Sequence, residues 1–121
     1  MTKKTLIIGA STDPTRYAYL AANKLVNYQH EIELLGINEG VVAGNKIHTE
    51  RENFEAIDTV TLYVSPKYQT DYFDYIAALK PKRVIFNPGT ENPEFEAFLT
   101  EKGIEPIEAC TLVMLATGQY W

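Results

Sequence analysis

The sequence predicts an α/β domain in three layers, a mostly parallel five-stranded sheet with helices on both faces. Three observations carry this expectation. Short apolar runs rich in β-branched residues alternate with segments whose apolar residues recur at helical spacing. The first four of the five runs are closed by Gly, Pro, Ser or Asn, the residues that stop a strand. At 121 residues, 45% of them hydrophobic, the chain can bury one core without disulfides, so residues 1–121 read as a single domain.

The elements follow in order. Thr5-Leu-Ile-Ile-Gly9 is the first strand, ending in Gly-Ala-Ser-Thr-Asp-Pro. Asp13 before Pro14 suits an N-cap followed by proline at the first helical position, and Tyr17, Leu20, Ala21, Leu25 and Tyr28 then mark a helix face. Residues 32–37 form the second strand, stopped around Gly36 and Asn38-Glu39-Gly40. A connector with Gly44 leaves room for a short strand at residues 46–48. Residues 59–64 form the next strand, stopped by Ser65-Pro66, and Tyr72, Tyr75, Ile76 and Leu79 define a second helix. Residues 82–86 repeat the strand pattern before Asn87-Pro88-Gly89, and a third helix runs from about Pro93 to Lys102 with Gly103 at C′. Residues 104–107 make the last strand, and residues 110–116 pack as a short terminal helix. Strands separated by helices imply right-handed crossovers and hence parallel pairing.

Composition excludes several classes of function. A net charge of −5 and the lack of a basic cluster argue against nucleic-acid binding; Lys80, Lys82 and Arg83 around Pro81 read as a solvated loop. No apolar stretch approaches the ~20 residues that span a bilayer, so no membrane partner is expected. The single cysteine, Cys110, and a start without signal-peptide architecture point to a soluble cytoplasmic protein.

In a parallel sheet the C-terminal strand ends lie along one edge, so the breakers after each strand collect there. Gly9-Ala10-Ser11, Val64-Ser65-Pro66 and the stretch from Asn87 to Glu91 should therefore border one crevice. Helix N-termini at that edge present free N–H groups that favour phosphate, which points to a small-molecule nucleotide ligand. Arg16 opposes the preference for acids in a first helical turn, and an anion beside it would resolve the conflict. Gly9 and its neighbours supply only one glycine of the dinucleotide fingerprint G-x-G-x-x-G. Glu39 follows the second strand, where NAD(P)-binding domains place a ribose-binding acid, but it lies further from Gly9 than the fingerprint's ~20 residues. An NAD(P)-type binder or enzyme thus stays open beside a structural turn.

No catalytic constellation emerges. His30 and His48 sit in connectors without metal-ligand spacing and read as solvated or capping groups. Cys110 reads as a small apolar side chain or as a thiol placed to meet a ligand. Asp71 and Asp74, with Tyr68, Tyr72 and Tyr75, read as faces of one helix. Tyr120-Trp121 suits either a covered apolar patch or a homodimer surface, and a ligand-free interaction module is a third reading.

The motif set resembles the stand-alone CoA-binding domain family, similar to the Rossmann-like CoA-binding domain of the succinyl-CoA synthetase α subunit. The resemblance rests on Leu6 to Ser11 with Arg16, Val42 to Ile47, Leu62 to Pro66, Arg83 to Glu91 and Glu108-Ala-Cys110. It implies that Gly9, Ala10, Ser11 and Arg16 hold phosphate and that Asn38 lies by the adenosine. It further implies that Ser65, Pro66, Asn87, Pro88, Gly89 and Glu91 line the remaining path, with Cys110 near the thiol end. Many relatives carry Asn-Pro-Lys after the second strand, whereas this chain has Gly36-Ile-Asn-Glu-Gly40 with the acidic Glu39. The implied function is noncovalent binding of coenzyme A or an acyl-CoA without chemistry. The synthetase's phosphohistidine lies in a domain that has no counterpart in these residues.

Overall fold

A computed structural model describes residues 2–121. In chain order the elements are β1 (Thr5–Ile8), α1 (Tyr17–Asn27), β2 (Ile32–Leu35), β3 (Gly40–Val42), β4 (Asn45–His48) and β5 (Thr59–Leu62), then α2 (Phe73–Leu79), β6 (Arg83–Phe86), α3 (Pro93–Glu101), β7 (Glu105–Glu108) and α4 (Thr111–Ala116). One seven-stranded sheet has the order β3-β4-β2-β1-β5-β6-β7. Every neighbouring pair is parallel except β3 with β4. The expected count of five strands is thus corrected to seven. The extra pair is a hairpin at the sheet edge, closed by Ala43 (φ +51°) and Gly44 (φ +77°), whose left-handed conformations match the twist of a two-residue turn.

The sheet separates two cores. Ile7, Leu34 and Ile85 point toward α1 and α4 and meet Ala18, Ala22, Leu25, Met114 and Leu115. Leu6, Ile8, Val60, Val84 and Phe86 point the other way, onto Ile76 of α2 and Phe95 and Leu99 of α3. This alternation along buried strands follows from the two-residue period of side-chain direction. Alanines at positions 18, 21 and 22 let α1 lie close on the sheet, and all three are buried.

Several local expectations are corrected. Helix α1 begins at Tyr17, because the Asp13 carboxylate is occupied by the Thr15 N–H and hydroxyl (2.9 and 2.7 Å) in a tight turn; Arg16, not Asp13, stands at the N-cap. Asp71 and Asp74 do not share one long helix with the three tyrosines: residues 66–68 and 70–72 form two 3-10 turns before the short α2. His30 is not solvated but 2% exposed, its Nδ1 accepting the Lys3 N–H at 2.9 Å. Nor is Arg83 a loop cation. Its guanidinium lies 4.4 Å from the centre of the Tyr120 ring and donates to the Thr59 hydroxyl (2.8 Å) and the Tyr120 carbonyl (2.6 Å). Tyr120 is fully buried, its hydroxyl 2.6 Å from that of Thr5, so the chain end closes the α1/α4 core. The C′ glycine of α3 holds as expected, with Gly103 at φ +78°.

Candidate functional site

β1 lies between β2 and β5, so the chain leaves it in opposite directions around the sheet, and the turns that follow these strands part at their C-terminal ends. A groove occupies this point. Its floor is the turn at Gly9-Ala10, tightly interlocked with its neighbours. Gly9 has φ +96°, and a Cβ there would stand 2.9 Å from the Tyr63 carbonyl oxygen. A Cβ on Gly36 would stand 2.4 Å from the Ala10 carbonyl oxygen. Only glycine admits these approaches.

Three adjoining hollows make up the groove, and Tyr63 borders all of them. The widest, about 670 Å³, is bounded by Gly9, Ala10, Arg16, Gly36, Arg51 and Tyr72. The middle one lies between Arg16, Tyr17, Ser65 and Pro88-Gly89. The last ends at Tyr17, Asn87, Cys110 and Leu112. The groove therefore has a direction: guanidinium groups at one end, an apolar wall with a thiol at the other.

Hydrogen bonding decides which backbone donors a ligand can reach. The N–H groups of Gly9 and Ala10 both donate to the Leu35 carbonyl (2.9 and 3.0 Å), so neither is free for a phosphate. The donors that remain beside the groove are in the first turn of α1, where Tyr17 and Ala18 border the middle hollow. Ser11 itself accepts the Asp13 N–H (3.0 Å) and does not border the groove. Arg16 does, with its side chain 72% exposed and its Nε 3.8 Å from Asp13 Oδ2. The Thr15 hydroxyl and N–H, then the Arg16 charge, hold the Asp13 carboxyl below its ordinary pKa. At so exposed a site this long ion pair contributes little and leaves the guanidinium able to change partner.

The two later turns are held by buried amides. Gln69, with no exposed surface, donates from Nε2 to both the Val64 and Thr90 carbonyls (2.8 Å each) and accepts from Asn92 Nδ2 (3.0 Å). Asn87 donates to the Thr61 hydroxyl (2.7 Å) and the Leu62 carbonyl (2.8 Å), and its Oδ1 accepts the Thr111 N–H (2.9 Å). Its amide is thus saturated within the protein, although the residue borders the Cys110 hollow. Glu91 accepts the Gly89 N–H (2.8 Å), closing that turn from outside the groove. Pro66 opens a 3-10 turn and Asn38 is exposed; neither borders the hollows.

Tyr63 is the least expected component. Its hydroxyl is buried without a hydrogen-bond partner, beside Thr61 and Thr111, whose hydroxyls already pair with each other at 2.8 Å. Burial pushes its pKa well above that of an ordinary phenol. Arg51 was also not singled out by the sequence, since it stands between two acids in Glu50-Arg51-Glu52. Glu39 is exposed and does not border the groove. Among the described residues no group of three or more His, Cys, Asp or Glu side chains could hold a metal ion, and no helix is long and apolar enough to cross a membrane.

Against known proteins, the CoA binding domain family model matches residues 3–116. The crystal structure of an uncharacterized protein is similar at 53% identity over 99% of both chains, with a TM-score of 0.97. A Thermus thermophilus protein shares the fold at 23% identity and TM-score 0.86, over 98% of this chain and 91% of that one. A hypothetical protein from Pyrococcus horikoshii OT3 does so at 24% identity and TM-score 0.88, over 96% and 83%. Among curated proteins, none matches. With a family model spanning nearly the whole chain and the same mostly parallel α/β fold in its structural neighbours, the chain belongs to the CoA-binding domain family.

Proposed function

We propose that the groove binds coenzyme A, or an acyl-CoA, noncovalently and without chemistry of its own. The observation that carries this reading is the groove's polarity. Its adjoining hollows place Arg16 and Arg51 at one end and Tyr17, Leu112 and Cys110 at the other. A long ligand with phosphates at one end and an uncharged thiol-bearing arm at the other matches that order of charge. The groove's place at the edge where β1 and β5 end supports the same reading, because α1 starts there and its free N–H groups favour phosphate.

In this reading the pyrophosphate lies by Arg16 and the start of α1. The pantetheine arm passes between Tyr17 and Pro88-Gly89, and the thiol reaches the neighbourhood of Cys110. Gly9 and Ala10 contribute by leaving room, Ser65 by its exposed side chain, and Asn87 by fixing the wall rather than by touching ligand. Ser11, Asn38, Pro66 and Glu91 shape or flank the turns. NAD(P) fits less well, since Glu39, the acid that would meet its ribose, stands outside the groove.

Calorimetric titration of ligand-free protein with coenzyme A and with NAD tests the reading. Saturable binding of coenzyme A at least tenfold tighter than that of NAD supports it; equal affinities, or tighter NAD, overturn it.

A further inference from the structure

We infer that Arg51 recognises the phosphate on the ribose of the ligand's nucleoside, the 3′-phosphate in coenzyme A, and so selects phosphorylated over dephosphorylated forms. The inference rests on the reading above. Its starting point is the order of groups along the groove. Arg16 borders both the wide hollow and the middle one, whereas Arg51 borders the wide hollow alone, with Gly36, Ile37 and Tyr72. A ligand whose thiol end lies by Cys110 and whose pyrophosphate lies by Arg16 thus brings its nucleoside to Arg51.

That end needs a cation. The turn after β2, residues 36–39, contains Glu39 and no basic residue, so it cannot neutralise a ribose phosphate. Of the cations bordering the wide hollow, Arg16 is placed for the pyrophosphate and Arg51 is left. Arg51 is also held in place. Its carbon Cζ lies 4.3 Å from the centre of the Tyr72 ring, and Nη1 donates to the Asp71 carbonyl at 2.7 Å. Stacking and one hydrogen bond fix the plane of the guanidinium and leave other N–H groups of its fork for a phosphate. Asp71 borders the same hollow but is exposed, so water and salt screen the repulsion of its carboxylate.

Calorimetry with coenzyme A and with dephospho-CoA, which lacks only that phosphate, on the wild type, Arg51→Ala and Arg51→Lys tests the inference. The wild type should prefer coenzyme A roughly tenfold or more, the scale of a charge-assisted contact. Arg51→Ala should abolish the preference through lost coenzyme A affinity, and Arg51→Lys, which keeps the charge, should restore part of it. A wild type without the preference, or an Arg51→Ala protein that retains it or weakens both ligands equally, overturns the inference while leaving the binding reading intact. A wild type that binds neither ligand overturns the binding reading itself, and the inference with it.

Discussion

The side-chain amide of Gln69 donates to the Thr90 carbonyl at 2.8 Å, tying the segment after β5 to the turn after β6. The same nitrogen donates to the Val64 carbonyl, so one buried amide sets the spacing of two groove walls. Gln69→Ala leaves two carbonyls without their donor and should lower stability by about 2–3 kcal/mol, measured by urea denaturation. Gln69→Glu should cost more, because it sets a carboxylate oxygen against two carbonyl oxygens. Equal stability of Gln69→Glu and wild type would show that the two walls are held some other way.

Gly36 lets the turn after β2 lie against the turn after β1. Gly36→Ala places a methyl group 2.4 Å from the Ala10 carbonyl oxygen, so one of the two turns must move. A loss of about 1–3 kcal/mol is expected, as for an overpacked site, together with weaker ligand binding because Ala10 forms the groove floor. Thermal unfolding and titration of the one variant report both effects. Unchanged affinity beside reduced stability would detach this turn from the site.

Arg16 separates binding from folding. Its only ion pair among the described residues is long and exposed, so Arg16→Ala should change stability by less than about 0.5 kcal/mol. Affinity for coenzyme A should fall by ~1.5–3 kcal/mol, for dephospho-CoA equally, and the loss should shrink as salt is added. Calorimetry at two ionic strengths checks this, and affinity unchanged at both would remove Arg16 from the site.

His30 should make stability depend on pH. It is buried against Tyr120 and Trp121, with ring centres 4.9 and 5.2 Å away, and its Nε2 has no partner. Burial, then the charge of Arg83, lowers its pKa from the ordinary value. The unfolded chain therefore takes up a proton before the folded one does. The stability this supplies is complete above about pH 6.5, the unfolded value, and is lost as pH falls through the lowered folded value. In urea denaturations at several pH values, the wild type should lose more stability than His30→Gln on acidification below about pH 6.5. Parallel curves for the two proteins would contradict the assignment.

Much of this fold is legible in the sequence because buried parallel strands read as apolar runs. Those at Leu6-Ile7-Ile8, at Val60 to Leu62 and at Val84 to Phe86 lie where their pattern places them, the first two ending one and two residues early and the third starting one residue late. β3 escapes such reading: Gly40-Val41-Val42 is too short to show a period, and its turn is the less usual Ala43-Gly44. The edge at which the site lies follows from parallel topology alone. The division of labour within it does not, since Asn87 reads as a turn residue and Gln69 carries no signal in sequence, and their amide hydrogen bonds emerge only in three dimensions. Arg51 comes from a connector between motifs and Tyr63 from within the run Leu62 to Pro66, and only the folded chain brings both to the groove.

Backbone amide chemical shifts during titration with coenzyme A map where the ligand sits. Perturbations are expected at residues 9–16, 63–65, 88–90 and 110–112, with Arg51 among them. Shifts confined to the opposite edge of the sheet or to the outer face of α1 and α4, or no shifts at millimolar ligand, would contradict binding in the groove.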